Sequence, residues 1–349
     1  MFFKKQKTSI GLDIGSSLIK MVMMKRTSKG YEMIKQGIKS LLPEAIVDGE
    51  IMDRDLVIDT IRELFDELDV KGKNVNASIS GRYVIVKRIS MEKQKEEEAR
   101  ESLKWEAEQH VHFDIDDVFL DLQILNDDIG DGQMDVLLVA AKKNNVLNLI
   151  DIIRDADLNP EIIDVDYLAI MNAFEINYQV SPDELIALVN IGADKADVSI
   201  IKDGIPHFNR DLPIAGNKYI EELQRNLNIS DTEAVDLLKG TNQDSVDPGE
   251  FMSVIESVTD ELSVQIDRSI SYISALGESS GINRMVISGG SATIPNLTTF
   301  LNQRHGIQVE IVNTLKNVSY DPSIFGSQDP NVVSPILMVA TGLSLRRPE

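Results

Sequence analysis

The chain writes one short pattern twice. Leu12-Asp13-Ile14-Gly15-Ser16 returns as Val189-Asn190-Ile191-Gly192-Ala193, and each copy closes one apolar run and precedes two more. Apolar runs bounded by glycine-containing turns read as strands. A three-strand unit that occurs twice, with helical segments after each copy, predicts an α/β protein of two related lobes. The 349 residues are enough for that, with room for a further domain.

The spacing predicts strands over 8–14, 18–25 and 31–40, then a helix over 53–70 with Leu56, Ile61, Leu64, Phe65 and Leu68 on one face. Strands follow at 75–80 and 83–89. The charged stretch from Lys93 to His110 reads as a solvated helix with one anchoring face, its Trp105 expected in a core. Strands near 118–125 and 134–140 flank an Asp/Gly-rich turn at 126–132, followed by a helix, a strand at 160–165 and a helix at 166–177. From Glu184 a second meander leads to helices near 216–227, 230–239 and 250–278, a strand ending in Gly289-Gly290, a helix after it, and a last helix at 335–347.

Composition excludes several functions. The formal charge of −22 repels phosphate backbones, so nucleic acid is not an expected partner. Anionic lipid is repelled too, except locally, where Phe2, Phe3, Lys4, Lys5 and Lys7 offer a short basic-apolar tip; a frayed terminus is the simpler reading. The absence of cysteine removes disulfides and thiolate metal sites, and four scattered histidines do not suggest zinc. No apolar run reaches the roughly 20 residues of a membrane helix, and the opening MFFKKQKT is too short for a signal peptide. A cytoplasmic location is the expectation.

The glycine turns carry the chemistry. A tip of the form Asp13-Ile14-Gly15-Ser16-Ser17 offers backbone N–H groups and two hydroxyls, a concave set of donors suited to phosphate oxygens. Asp13 would repel a bare phosphate, so it implies Mg²⁺ between them, held through water. Lys20 adds a point charge. The second hairpin, with Gly192, Ala193 and Asp194, presents the mirrored tip, and the turn Gly289-Gly290-Ser291 leaves bare backbone where a base or ribose could lie.

Together, GLDIGSSLIKMV, LVNIGADKADVSIIKDG, VISGGSATIPNL and ILMVATGLSLR resemble the actin/Hsp70/hexokinase superfamily. The opening MFFKKQKTSIGLDIGSS, the segment RDLPIAGNKYIEELQRNLNIS and the end at ATGLSLRR narrow the resemblance to the PilM family of type IV pilus assembly proteins, relatives of the FtsA cell-division proteins. The resemblance implies an actin-like, ribonuclease H-like fold with an FtsA-type 1C subdomain. It places a first lobe at 1–82, 1C at 83–164, a return helix at 165–184, the second lobe at 185–335 and a C-terminal helix at 336–349. It also implies ATP or ADP as ligand, adding Gly216, Asn217, Glu221 and Lys239 to the binding set. The implied partner is the N-terminal cytoplasmic tail of a PilN-like membrane protein, docked between 1A and 1C. Pilus motor ATPases and further copies of the chain are candidates as well. FtsA carries a C-terminal membrane helix, whereas this sequence stops at Arg346-Arg347-Pro348-Glu349, so attachment to the inner membrane is expected only through partners.

The chain departs from the family pattern on its second hairpin. Asn190 stands where relatives carry an acid, and Lys195 and Ala196 stand where they carry hydroxyls. Asp194, where relatives often have Glu, is a substitute metal or water ligand. On the base-side helix, Val235 and Leu238 fall where Glu and Lys are usual, with Asp236 and Lys239 one residue away. An amide does not bind Mg²⁺ as a carboxylate does, so weak or absent hydrolysis is expected. The competing readings are a self-polymerising FtsA-like protein and a small-molecule kinase. No motif singles out a general base for the kinase.

Overall fold

The computed structural model describes residues 8–275 and 281–348. The basic-apolar tip and the end of the expected 250–278 helix lie outside them. The first half comprises strands β1 (Thr8–Ile14), β2 (Leu18–Thr27) and β3 (Gly30–Ser40), a ribbon of β4 (Ile46–Val47) and β5 (Glu50–Ile51), helix α1 (Arg54–Glu67), β6 (Asn74–Ile79), β7 (Val84–Glu92), α2 (Glu96–Ala107), β8 (Val118–Gly130), β9 (Gln133–Lys142), α3 (Lys143–Asp155), β10 (Asn159–Val165) and α4 (Asp166–Asn177). The second half adds β11 (Leu185–Ile191), β12 (Ala196–Lys202), β13 (Ile205–Leu212), α5 (Gly216–Leu227), α6 (Asp231–Leu238), α7 (Pro248–Ala275), β14 (Arg284–Ser288), α8 (Leu297–His305), β15 (Gln308–Ile311), β16 (Val318–Tyr320), α9 (Pro330–Val333) and α10 (Met338–Leu345).

Two sheets share one topology. The first runs β10-β6-β1-β2-β3-β16 and the second β15-β14-β11-β12-β13. In each, the meander is antiparallel and the strands beyond its first member are parallel. The repeated sequence pattern therefore marks equivalent hairpins, closing at Ile14↔Ile19 and Ile191↔Ala196. β1 and β11 are central and covered on both faces, which is why they read as nearly continuous apolar runs.

Helices α4 and α10 pack together between the sheets. Ala169, Ile170, Ala173 and Phe174 of α4 meet Ile186, Leu188 and Val286 of the second sheet in a cluster that also holds Met338, Val339 and Leu343 of α10. On its other side α10 lies against β1, so closely that a Cβ at Gly11 would stand 2.1 Å from the Ala340 carbonyl oxygen. Buried Asn76 donates to the Leu343 carbonyl at 2.9 Å and Arg346 pairs with Asp164, fixing the far end of α10 to β6 and β10.

Strands β7, β9 and β8, in that order, form a separate small sheet packed against α2 through Ala99, Leu103 and Ala107. Trp105 lies two residues beyond Leu103, round the helix from that stripe, and is 72% exposed rather than in the expected core. The expected turn at 126–132 contracts to Asp131-Gly132, both at positive φ (52° and 72°), the geometry that lets β8 and β9 run on in a tight hairpin.

Two boundaries shift. Helix α3 and strand β10, expected in the side subdomain, join the first lobe: Leu149, Ile152 and Ile153 are in its core and β10 extends its sheet. The chain also returns to that lobe before residue 336, since β16 pairs in parallel with β3. The small unit thus spans 84–142. Its edge strand β7 abuts the edge of the second lobe, where Asn209 donates to the Val86 carbonyl at 3.1 Å and Arg88 meets His207 at 3.0 Å. None of its residues lines the cleft described next.

Candidate functional site

A cleft of about 1190 Å³ opens between the lobes with both hairpin tips on its walls. Asp13, Gly15, Ser16, Ser17 and Lys20 line it from the first lobe; Asn190, Gly192, Ala193, Asp194, Gly216, Asn217, Lys239, Gly289, Gly290 and Ser291 line it from the second. Glu221 is not brought in. Helix α5 meets the cleft through Gly216, Asn217 and Ile220, whereas Glu221 faces solvent and its neighbour Glu222 is buried against Lys218 and Arg225.

The first tip is tight and pre-shaped. Gly15 donates its N–H to the Leu18 carbonyl at 3.1 Å, and a Cβ there would stand 3.1 Å from both that oxygen and the Lys20 ammonium. Lys20 and Asp13 are direct register partners across β1 and β2, and form an ion pair at 2.7 Å. Burial raises the Asp13 pKa, Lys20 opposes this, and the nearby Asp166 and Asp197 push it further up.

The second tip is tied down rather than open. The Gly192 and Ala193 carbonyls accept the Gly216 and Asn217 N–H groups at 3.1 and 2.8 Å, capping α5. Asn217 Nδ2 donates to Asp194 at 2.5 Å, and Ser291 Oγ to the Gly192 carbonyl at 2.8 Å. Two glycines permit this closeness: a Cβ at Gly216 would stand 2.3 Å from Ser291 Oγ, and one at Gly289 (φ 95°) 2.3 Å from the Ile191 carbonyl.

Sequence reasoning missed the floor between the tips. Asp197 and Asp211 stand directly opposite each other on β12 and β13. Lys195 Nζ lies 2.8 Å from the first and 3.3 Å from the second. Tyr167 of α4 donates to Asp211 at 2.5 Å, Asn190 to Asp197 at 3.3 Å, and Ser78 to Asp166 at 2.6 Å. These residues come from separate segments, so no local pattern announces them. The only signal was the acid on alternate positions of two predicted strands, Asp197 and Asp211.

Burial is the largest cause that pushes the Asp197 carboxyl up, to about 7, against the pull of Lys195; its hydrogen bond with Asp211 adds to the rise. Asp211 is held below the usual range: its own burial works the other way, but bonds from Asp197 and Tyr167 and the Lys195 charge outweigh it. Asp197 therefore binds a proton in the folded state at pH values where the unfolded chain has lost it. Its contribution is present at low pH and is lost as pH rises from about 4 to about 7. Urea denaturation across that window should show a loss of roughly 4 kcal/mol, about three pKa units at about 1.4 kcal/mol each, that Asp197→Asn abolishes. An unchanged slope in the variant would assign the pH dependence elsewhere.

The donor set fits a nucleotide. Ile220, Val235, Leu238 and Ile294 give the second-lobe wall apolar side chains suited to a flat ring, and Lys239 lines the same cleft. A Cβ at Gly290 would find only Leu18 of the opposing hairpin, at 3.8 Å, so the backbone there is open to a ligand. Among the described residues no three Asp, Glu or His side chains converge as a direct metal cage. The floor nonetheless carries Asp13, Asp166, Asp197 and Asp211 against Lys20 and Lys195, so polyphosphate needs an added cation. A divalent ion reached from Asp13 through water suits these residues.

A family model described as type IV pilus assembly protein PilM matches residues 11–348. The chain belongs to the PilM family. The PilM-family chain is also similar in sequence to the cell division protein FtsA of Bacillus subtilis (strain 168), 22% identical over 95% of this chain and 82% of that protein. Among solved structures it is similar to a PilM-PilN type IV pilus biogenesis complex, with a TM-score of 0.84, 24% identity and 97% of each chain covered. It also resembles ethanolamine utilization protein EutJ from Carboxydothermus hydrogenoformans (TM-score 0.58, 15% identity, 97% and 89% covered). MreB5 of Spiroplasma citri bound to AMPPNP is a third (TM-score 0.52, 13% identity, 96% and 94% covered). The fold is actin-like, as the paired sheets indicate.

Away from the cleft, the PilM-family chain has one more chain of polar contacts. Ser263 Oγ lies 2.9 Å from His305 Nε2, and His305 Nδ1 3.1 Å from Asp267. The order is that of a nucleophile, base and orienting acid. Yet Ser263 is buried in the middle of α7, where backbone amides are committed to the helix and form no oxyanion hole. The contacts tie the end of α8 to α7.

Proposed function

We propose that this protein is an actin-like adaptor of a type IV pilus, or related secretion, assembly machine. In this reading it holds ATP or ADP with Mg²⁺ between its hairpins, turns it over weakly or not at all, and docks the N-terminal cytoplasmic tail of a PilN-like inner-membrane protein. The family match over residues 11–348 carries the reading, and the full-length likeness to PilM in a PilM-PilN complex supports it. The nucleotide-bound MreB5 structure supports the ligand class. Among the described residues no helix is long and apolar enough to cross a membrane, which agrees with attachment through a partner.

The peptide groove lies where the small subdomain joins the first lobe. Glu50, Arg82, Tyr83, Asn144, Asn145 and Asn148, from the segments that flank the small subdomain and the adjoining first lobe, are among the residues that line the cleft. Amide side chains and a phenol suit the backbone of an extended peptide. Titrating the cytoplasmic N-terminal peptide of a PilN-like protein should give saturable binding, and Tyr83→Ala should weaken it about tenfold, a typical loss for an interface aromatic. Failure of the folded wild-type protein to bind such a peptide would remove the adaptor reading. The FtsA similarity leaves self-assembly as the second reading, tested by sedimentation with nucleotide.

A further inference from the structure

We infer that Lys195 is the second lobe's contact for the terminal phosphate of a nucleoside triphosphate, balanced by a proton shared between Asp197 and Asp211, so that triphosphate binding takes up a proton. The inference rests on the proposed nucleotide cleft and adds to it a specificity-determining residue peculiar to this chain.

Several donors around the second tip are already committed. The Gly216 and Asn217 N–H groups and the Ser291 hydroxyl are spent on hairpin carbonyls, and Asn217 holds Asp194. The Lys20 ammonium, on the opposing tip, is paired with Asp13. Lys195 has three donors; two go to Asp197 and Asp211, and its side chain remains 31% exposed on the cleft wall. The Cβ position of Gly81, on the first lobe's loop, is 4.0 Å from its ammonium, so this charge reaches across the cleft floor.

Lys195 also keeps two opposed carboxyls compatible. Asp197 and Asp211 are cross-strand partners on one face, where like charges repel. The groups facing them are Lys195 on the hairpin, Tyr167 and Asp166 on α4, Asn190 on β11, and Asp13 with Lys20 on the first lobe. The only cations in that set are Lys195 and the committed Lys20. A phosphate that takes the third Lys195 donor places negative charge beside the pair. The pair then holds its shared proton more tightly, and none of the neighbouring groups supplies a replacement charge. The proton comes from solvent and no bond is broken. A diphosphate, which ends one phosphate short of Lys195, lacks the effect.

Calorimetric titration of Mg-ATP and Mg-ADP at pH 6, 7.5 and 9, in buffers of different ionisation enthalpy, tests this. Saturating Mg²⁺ keeps the free nucleotide ionised throughout. ATP affinity should fall about tenfold between pH 6 and pH 9, with proton uptake greatest near pH 7.5 and small at the two extremes, while ADP affinity stays level; one pKa unit on the pair corresponds to that factor. Lys195→Ala should lose the preference for ATP over ADP, its folding checked independently by circular dichroism and urea denaturation, and Lys195→Arg, which keeps the charge, should retain that preference. Asp197→Asn should bind ATP without the pH dependence. ATP binding that is insensitive to pH, or a Lys195→Ala variant that still prefers ATP, overturns the inference and leaves the nucleotide cleft standing. Absence of any nucleotide binding overturns both.

Discussion

Gly342→Ala is expected to cost about 3 kcal/mol or more and to lower the urea midpoint accordingly. A Cβ at residue 342 would lie 1.7 Å from the Ala169 carbonyl oxygen and 2.4 Å from its carbon, well inside contact. The neighbour is helix backbone, which cannot rotate away as a side chain can. Nor can α10 retreat, because its other side lies on β1, where a Cβ at Gly11 would meet Ala340 and Ser344 backbone at 2.1 and 2.6 Å. The helix is held between two backbones with glycine at each contact. Gly290→Ala provides the contrast: its Cβ would meet one leucine methyl at 3.8 Å, so stability should stay within about 0.5 kcal/mol while nucleotide binding suffers. Equal destabilisation by the two substitutions would show that the α4–α10 contact is looser than described.

Asp13→Ala is expected to weaken Mg-dependent ATP binding roughly 10- to 150-fold, the equivalent of about 1.5–3 kcal/mol for one charge-assisted contact. The ion pair at 2.7 Å adds a second consequence. Losing the carboxylate frees the Lys20 ammonium beside Gly15, where phosphate oxygens would sit. In EDTA the variant should therefore bind ATP no more weakly than the wild type, and the effect of Asp13 should depend on the metal. A loss of the same size with and without Mg²⁺ would mean that Asp13 shapes the hairpin and organises no cation. Asn190→Asp, which restores an acid on the second tip, should increase Mg-dependent phosphate release. Asn190 now accepts from Ser288 at 3.1 Å and donates to Asp197 at 3.3 Å. Brisk release by the wild type would refute the view that this half of the cleft is weakened for hydrolysis.

The two-lobed fold was legible because it is written locally and twice. Strand alternation, buried runs and the Asp13 and Asn190 hairpins each depend on neighbours a few residues away. The same locality made the tips legible as hairpin turns, and both line one cleft. What periodicity leaves open is which layer an amphipathic element covers. Helix α3 and strand β10 look the same whether they complete a side subdomain or the first sheet, and only the packing of Leu149, Ile152 and Ile153 with Ile61 and Val75 decides it. Trp105 is apolar enough to suggest a core, but the stripe Ala99, Leu103 and Ala107 turns the helix so that it faces water. The cleft floor is the clearest case. Asp166, Tyr167, Lys195, Asp197 and Asp211 become one electrostatic unit only when β12, β13 and α4 converge, since charges interact through space and not along the chain. The sequence by itself determined the repeated hairpins and the donors on their tips; tertiary structure alone decided which carboxyls face each other and which ammonium stands between them.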